Sequence, residues 1–249
     1  MSAPHLIECD HLIANLTEVE YSGEPLSMTA DAGQIISLIG PDYAGKTDWL
    51  KTMAGIYYPV AGDIRYSGKS FFELDDDAWT RMRQRNAYIR GDAALLSVAS
   101  GLANVMLPAR YHRIGDDEAI KNKALNLIDE LGANYSLDEL PAFLRRDQRF
   151  KLVVARALML DPDVLFLDNP FAFLDSQAAA HFKSFLLRRV KQQGLTLVML
   201  ANDLEFTLRV ADKVLFITTE KVYCFDSIAE LKSCNDEAVA QFMGKSPVT

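Results

Sequence analysis

The stretch "IISLIGPDYAGKTDWLKTMAG" (residues 35–55) decides how the chain is read. A short, mostly apolar run leads into Gly40, four intervening residues, then Gly45-Lys46-Thr47 and a helical pattern. Strand, glycine loop with a closing lysine and hydroxyl, then helix is the spacing of a phosphate-binding loop in its required context. Backbone N–H groups and the helix N-terminus cradle phosphate oxygens, the lysine neutralises them, and the threonine hydroxyl holds Mg²⁺. Gly40, Pro41, Asp42, Tyr43, Ala44, Gly45, Lys46, Thr47 and Asp48 are therefore the candidate nucleotide-binding residues, with ATP and Mg²⁺ as candidate ligands. A second "GKS" at 68–70 is not such a loop, because Asp63 stands where the leading glycine is needed.

Outward from this loop, "VLFLD" (164–168), "LTLVML" (195–200) and "KVLFI" (213–217) are short continuous apolar runs, as strands buried on both faces of a parallel sheet are. Helical patterns over 45–54, 117–131, 147–160 and 176–193 alternate with them, which predicts an α/β layered core. Residues 1–33 and 62–70, with the turn sequences "YSGEP" and "YSGK", predict a small flanking antiparallel sheet. From about 91 to 160 the pattern is mostly helical, so the expected organisation is one domain over 1–249 with a helical subdomain inserted in the phosphate-loop core.

Composition excludes some partners. A formal net charge of −8 over 249 residues disfavours nucleic acid, whose phosphates call for a basic face. Cys9, Cys224 and Cys234 fit no metal or paired redox spacing and read as reduced thiols in a cytoplasmic protein. The opening "MSAPHLIECD" has no secretion-signal pattern, and no run of 18 apolar residues predicts a membrane span.

The loop and a second stretch, "VLFLDNPFAFLD" (164–175), together resemble the nucleotide-binding subunits of ATP-binding-cassette (ABC) transporters over nearly the whole chain. Relatives resemble "GPNGAGKST" at the loop, so Asp42, Tyr43 and Asp48 are departures. The hydroxyl that Asp48 replaces donates to a phosphate in the family, whereas a carboxylate only accepts. Like charges about 4 Å apart cost roughly 4 kcal/mol at an effective dielectric of about 20, close to a thousandfold in affinity unless the side chain rotates away. Tyr43 stands for a glycine, which predicts strain if the backbone there is left-handed. Two readings of the loop stay open: an ATP site, or a folding element that is rarely occupied.

The run "LRRDQRFKLVVARALMLDPDVLFLDNP" is similar, without a gap, to the family run from "LSGGQ" to "LLLDEP". Leu144 and Gln148 match the signature motif, while Arg145, Arg146 and Asp147 stand for Ser-Gly-Gly. In the family that motif presses bare backbone against ATP held by the opposite subunit, so bulky residues are expected to obstruct the partner's site. A competing reading has Arg145 and Arg146 supply the lost donors as positive charge. Asp168 keeps the Mg²⁺-partner position with Thr47, at the carboxyl end of a strand. Asn169 replaces the glutamate that serves as general base, and losing such a base typically costs about 10² to 10⁴ in rate. Asn202 replaces a histidine that contacts the γ-phosphate, and Arg90-Gly91 stand where relatives carry a Mg²⁺-touching glutamine. Thr17 occupies the usual position of the adenine-stacking aromatic, with Tyr21 the nearest substitute.

Two stretches narrow the resemblance. "ASGLANVMLPARYH" (99–112) and "NDEAVAQFMGK" (235–245) are similar to segments of the ATPases that serve MCE-domain, Mla-type lipid and solvent-resistance transporters. That resemblance implies a transmembrane permease docking near residues 90–108, where Leu95, Leu96, Val98, Leu102 and Val105 are candidates, and a second nucleotide-binding subunit, identical or an active paralogue. Taken together, the expectation is a membrane-peripheral pseudo-ATPase on the inner face of the cytoplasmic membrane, holding a permease or paralogue in place. The alternative is a slow but genuine ATPase with charge from Arg90 or Arg145, and a nucleotide-sensing soluble regulator is a third class.

Overall fold

The computed structural model describes residues 5–18, 21–90, 94–134, 137–200 and 202–244. The chain divides into two compact units, Met1–Trp79 with Thr196–Thr249, and Thr80–Leu195.

In the first unit an antiparallel sheet runs in the order β2-β1-β4-β5, from β1 (Ile7–Ile13), β2 (Leu26–Ala30), β4 (Ala61–Tyr66) and β5 (Lys69–Ser70). Cys9 lies opposite Ile64 across β1 and β4, and the register slips between Asp10 and Ile13. Gly62 makes that irregularity possible: at φ 77° its absent Cβ would lie 2.1 Å from the carbonyl oxygen of His11. The same unit holds β3 (Ile35–Ile39), β8 (Thr196–Leu200), β9 (Lys213–Ile217) and β10 (Val222–Phe225) in the order β10-β9-β3-β8. Strand β3 pairs parallel with both β8 and β9, and β10 closes the edge antiparallel to β9. Every residue of β3 and β8 is buried, as continuous apolar runs require.

Helix α1 (Lys46–Met53) packs on β3 and β8. Short helices α7 (Leu204–Val210), α8 (Ile228–Ser233) and α9 (Glu237–Phe242) complete the unit, with Leu231 and Val239 joining Ile39, Val214 and Phe216 in one apolar cluster.

The chain passes into the second unit within α2 (Asp76–Arg85). There β6 (Asn86–Ile89) pairs parallel with β7 (Val164–Asp168), Ile89 opposite Leu167. Helices α3 (Gly101–Tyr111), α4 (Asp117–Glu130) and α5 (Arg146–Leu158) pack on one another. The fourth, α6 (Ser176–Gln193), sets Phe182 edge-on against Phe150 at 5.3 Å. Pro108 lies inside α3 and removes one helical donor, yet Ser100 caps the start and His112 bonds back to Pro108 at 3.0 Å. Fully buried Asn104 secures that start, accepting from the Leu96 N–H and donating to the carbonyls of Leu96, Ala99 and Ser100 at 2.7 to 3.1 Å.

The α/β expectation, with its flanking antiparallel sheet and helical region, is met. The four expected helices and all the core strands form where their patterns lie.

Candidate nucleotide site

Strand β3 delivers the chain to Gly40 at φ 139°, where a Cβ would lie 2.1 Å from the carbonyl oxygen of Ile217. The loop ends at Gly45, left-handed at φ 71°, which opens α1. Between them the Ala44 N–H donates to the Pro41 carbonyl at 3.2 Å. Lys46 folds back into this loop: its Nζ donates to the carbonyls of Gly40 and Pro41, both at 2.6 Å, and lies 3.6 Å from the exposed Asp42 carboxylate. Burial lowers the pKa of the Lys46 amine, and the Asp42 charge opposes that without reversing it. Thr47 is half-buried at the first turn of α1.

Two expectations for this loop change. Tyr43 is not left-handed: among the described residues the non-glycine positions with positive φ are His11, Ser67, Arg113, Asp161 and Asn169. The loop therefore accepts the side chain without backbone strain and points it outward, 71% exposed. Asp48, expected to confront a phosphate, has its carboxylate turned to Thr17, accepting from the Thr17 N–H at 2.8 Å and from its hydroxyl at 2.7 Å. Lys51 approaches the other carboxylate oxygen at 3.5 Å. Tyr21, the substitute stacking residue, sets its ring edge-on to Trp49 at 5.5 Å and donates its hydroxyl to the Glu24 carbonyl.

In the second unit Asp168 closes β7 and accepts from the Tyr88 hydroxyl at 3.1 Å. Asn169 follows at φ 53°, a left-handed conformation that Asn tolerates better than most residues. Arg90 is exposed after β6, and Gly91 lies outside the described residues. Asn202, in the first unit, is exposed just before Asp203, which caps α7 by accepting from the Phe206 N–H at 2.9 Å.

At the start of α5, Leu144 is buried and the Arg145 N–H donates to Gln148 Oε1 at 2.8 Å. The Arg145 guanidinium grips both oxygens of Asp147, at 3.1 and 3.0 Å, and Arg146 stacks over the Phe173 ring at 5.3 Å. Burial pushes the Asp147 carboxyl up, but the Arg145 hydrogen bonds and charge outweigh it and leave it below the ordinary range. The Phe173 contact was not legible in the sequence, because no local spacing links a helix start to a loop 27 positions on.

The residues present fit a triphosphate and Mg²⁺ only in part. Thr47 in the first unit and Asp168 in the second each retain an oxygen donor of the kind Mg²⁺ takes, and the loop keeps Gly40, Gly45 and Lys46. The first turn of α1 does not fit, since it already carries a paired carboxylate at Asp48.

A parallel strand, a glycine loop around a buried lysine and a helix, accompanied by an antiparallel sheet, define a phosphate-loop nucleotide-binding domain. Residues 24–172, more than half of the chain, match the family model described as ABC transporter, and the chain belongs to that family. Its curated relatives include the Escherichia coli (strain K12) ABC transporter ATP-binding protein YbbA, 29% identical over 84% of this chain and 93% of that protein. The Haemophilus influenzae intermembrane phospholipid transport system ATP-binding protein MlaF is 27% identical over 88% of this chain and 83% of that one. Among solved structures, the ATP-binding cassette MJ0796, a dimer bound to ADP and Pi, superposes with a TM-score of 0.79 at 20% identity, covering 88% of this chain and 98% of that one. CbiO1 from Clostridium perfringens also reaches 0.79 at 20% identity, over 96% and 94%. The chain is thus an ABC transporter ATP-binding subunit with MlaF among its relatives, and among the described residues no helix is long and apolar enough to cross a membrane.

Proposed function

We propose that the chain is a pseudo-ATPase: a nucleotide-binding subunit with absent or very weak hydrolysis, acting as scaffold or regulator of the permease of an MCE/Mla-like lipid transport system. It is read as a single domain over residues 1–249, with a helical subdomain over about 91–160, peripheral on the inner face of the cytoplasmic membrane. The observation that carries the reading is Asn169, an amide at the strand tip after Asp168, in the position where the family resemblance implies a glutamate as general base. An amide has no useful basicity, and that loss alone leaves a typical turnover near 10 s⁻¹ at roughly 0.1 to 0.001 s⁻¹. Asn202 and the Arg90-Gly91 pair remove further polar partners, and effects of groups that act as one unit do not simply add.

The transport class is supported by the kinship with MlaF, a phospholipid-transport ATP-binding protein, and a paired subunit by the dimer of MJ0796. Leu96 and Val98 are exposed and suit a permease contact. Val105 does not suit it, being fully buried in the core of its own unit. The slow-ATPase alternative draws on positive charge from Arg90 or Arg145, and the Arg145 guanidinium is already gripped by Asp147.

Phosphate release by the purified subunit with its permease tests this. The expected result is no release that depends on Lys46; sustained release abolished by Lys46→Ala overturns the reading.

A further inference from the structure

The first turn of α1 carries its own anion. Asp48 is the third residue of that helix, buried at the N-terminal end where negative charge is favoured. Three consecutive residues of the segment after β1 are applied to it. Thr17 donates its N–H and hydroxyl to Asp48 Oδ2 at 2.8 and 2.7 Å, and the Asn15 N–H donates to Thr52 Oγ1 at 3.3 Å. Leu16, between them, covers Gly45: a Cβ there would meet Leu16 Cδ2 at 3.2 Å. Lys51, 3.5 Å from Asp48 Oδ1, balances the charge from the far side.

We propose that the Asp48–Thr17 contact is a latch: it holds residues 15–17 over the start of α1 and closes the helix end of the phosphate loop to a nucleoside triphosphate until it parts. The inference rests on the reading of Gly40–Asp48 as the nucleotide loop. A phosphate arriving at this turn meets a like charge and also a segment that must lift, and the two obstacles are separable. An amide at 48 loses the charge but keeps an oxygen for both Thr17 donors, whereas alanine loses both.

The test uses the full chain with two readouts, hydrogen exchange of the Thr17 amide and calorimetric titration with Mg-ATP. In the wild type the Thr17 amide is protected. Asp48→Ala speeds its exchange and tightens Mg-ATP binding, each by about tenfold or more, since hydrogen bonds to a charged acceptor are lost. Asp48→Asn speeds exchange and tightens binding by clearly smaller factors than Asp48→Ala, because it removes the like charge while its neutral acceptor still holds the segment down. Equal tightening by Asn and Ala overturns the latch in favour of charge alone. So does an unprotected Thr17 amide in the wild type, or faster exchange in Asp48→Ala without tighter binding. Should Asp48→Ala fail to fold, Thr17→Val, at an exposed position, removes only the hydroxyl bond. Binding is then expected to tighten by about threefold, and no change overturns the proposal. Neither readout involves hydrolysis, so Lys46-dependent phosphate release by the wild type would sink the preceding reading and leave this one standing.

Discussion

Strand β7 and the residue that follows it adjoin in sequence and have opposite characters. Val164 to Leu167 are apolar and almost wholly inaccessible, while Asp168 and Asn169 at the tip are polar, partly exposed and, at Asn169, left-handed. The same contrast holds between β3, buried throughout, and the loop it feeds, where Asp42, Tyr43 and Asp48 depart from the family pattern. Packing and chemistry therefore part company within a residue or two. The strand bodies keep what a parallel core demands; Asp42, Tyr43, Asn169 and Asn202 stand just past carboxyl ends, where ligands of such sheets bind, and Asp48 and Arg145 to Asp147 stand at helix starts.

Substitutions break or sharpen that contrast, and urea denaturation midpoints read the outcome. Phe166→Ala, in the fully buried body of β7, is expected to cost about 3–5 kcal/mol, as large apolar deletions in cores do. Gly40→Ala comes next at about 2–3 kcal/mol, because the new Cβ meets the Ile217 carbonyl at a positive φ that alanine avoids. At the tip, Asn169→Glu restores a carboxylate at a left-handed position and is expected to cost about 1 kcal/mol or less. A cost as large as that of Phe166→Ala would mean that the tip is part of the packing and that the contrast is false.

Smallest is Arg145→Ala, which removes an exposed ion pair with Asp147 and costs about 0–1 kcal/mol at neutral pH. The Asp147 carboxyl is lowered from its ordinary 3.8 in the folded state, so the stabilisation is complete above that value and is lost as pH falls through the lowered one. The difference between Arg145→Ala and wild type should accordingly shrink in acid. A difference that grows below pH 3.8 contradicts the pairing.

Much of this was legible in the sequence, for physical reasons. Glycine, lysine and threonine at fixed spacing announce a phosphate loop because glycine permits that backbone, lysine brings the charge and the hydroxyl an oxygen for Mg²⁺, and continuous apolar runs announce buried parallel strands. Helix α3 was legible only as part of the mostly helical stretch from about 91 to 160; the cap at Ser100 and the buried Val105, Met106 and Ala109 carry the helix past Pro108. Whether Tyr43 is strained was not legible, because a glycine in relatives does not oblige a left-handed backbone here. The direction of the Asp48 carboxylate was invisible, since its partner Thr17 lies 31 residues away on another element and no periodicity joins them. Local geometry is written in neighbours; a contact between segments distant in sequence is not.

The most direct measurement restores the lost chemistry on the unaltered core. A chain carrying Asp48→Thr, Arg145→Ser, Arg146→Gly, Asp147→Gly, Asn169→Glu and Asn202→His is compared with wild type for phosphate release in the presence of the permease. The account predicts that the restored chain releases phosphate at least about a hundredfold faster, the low end of what a general base alone supplies. A restored chain that folds cooperatively and releases none, or a wild type that already matches it, contradicts the account.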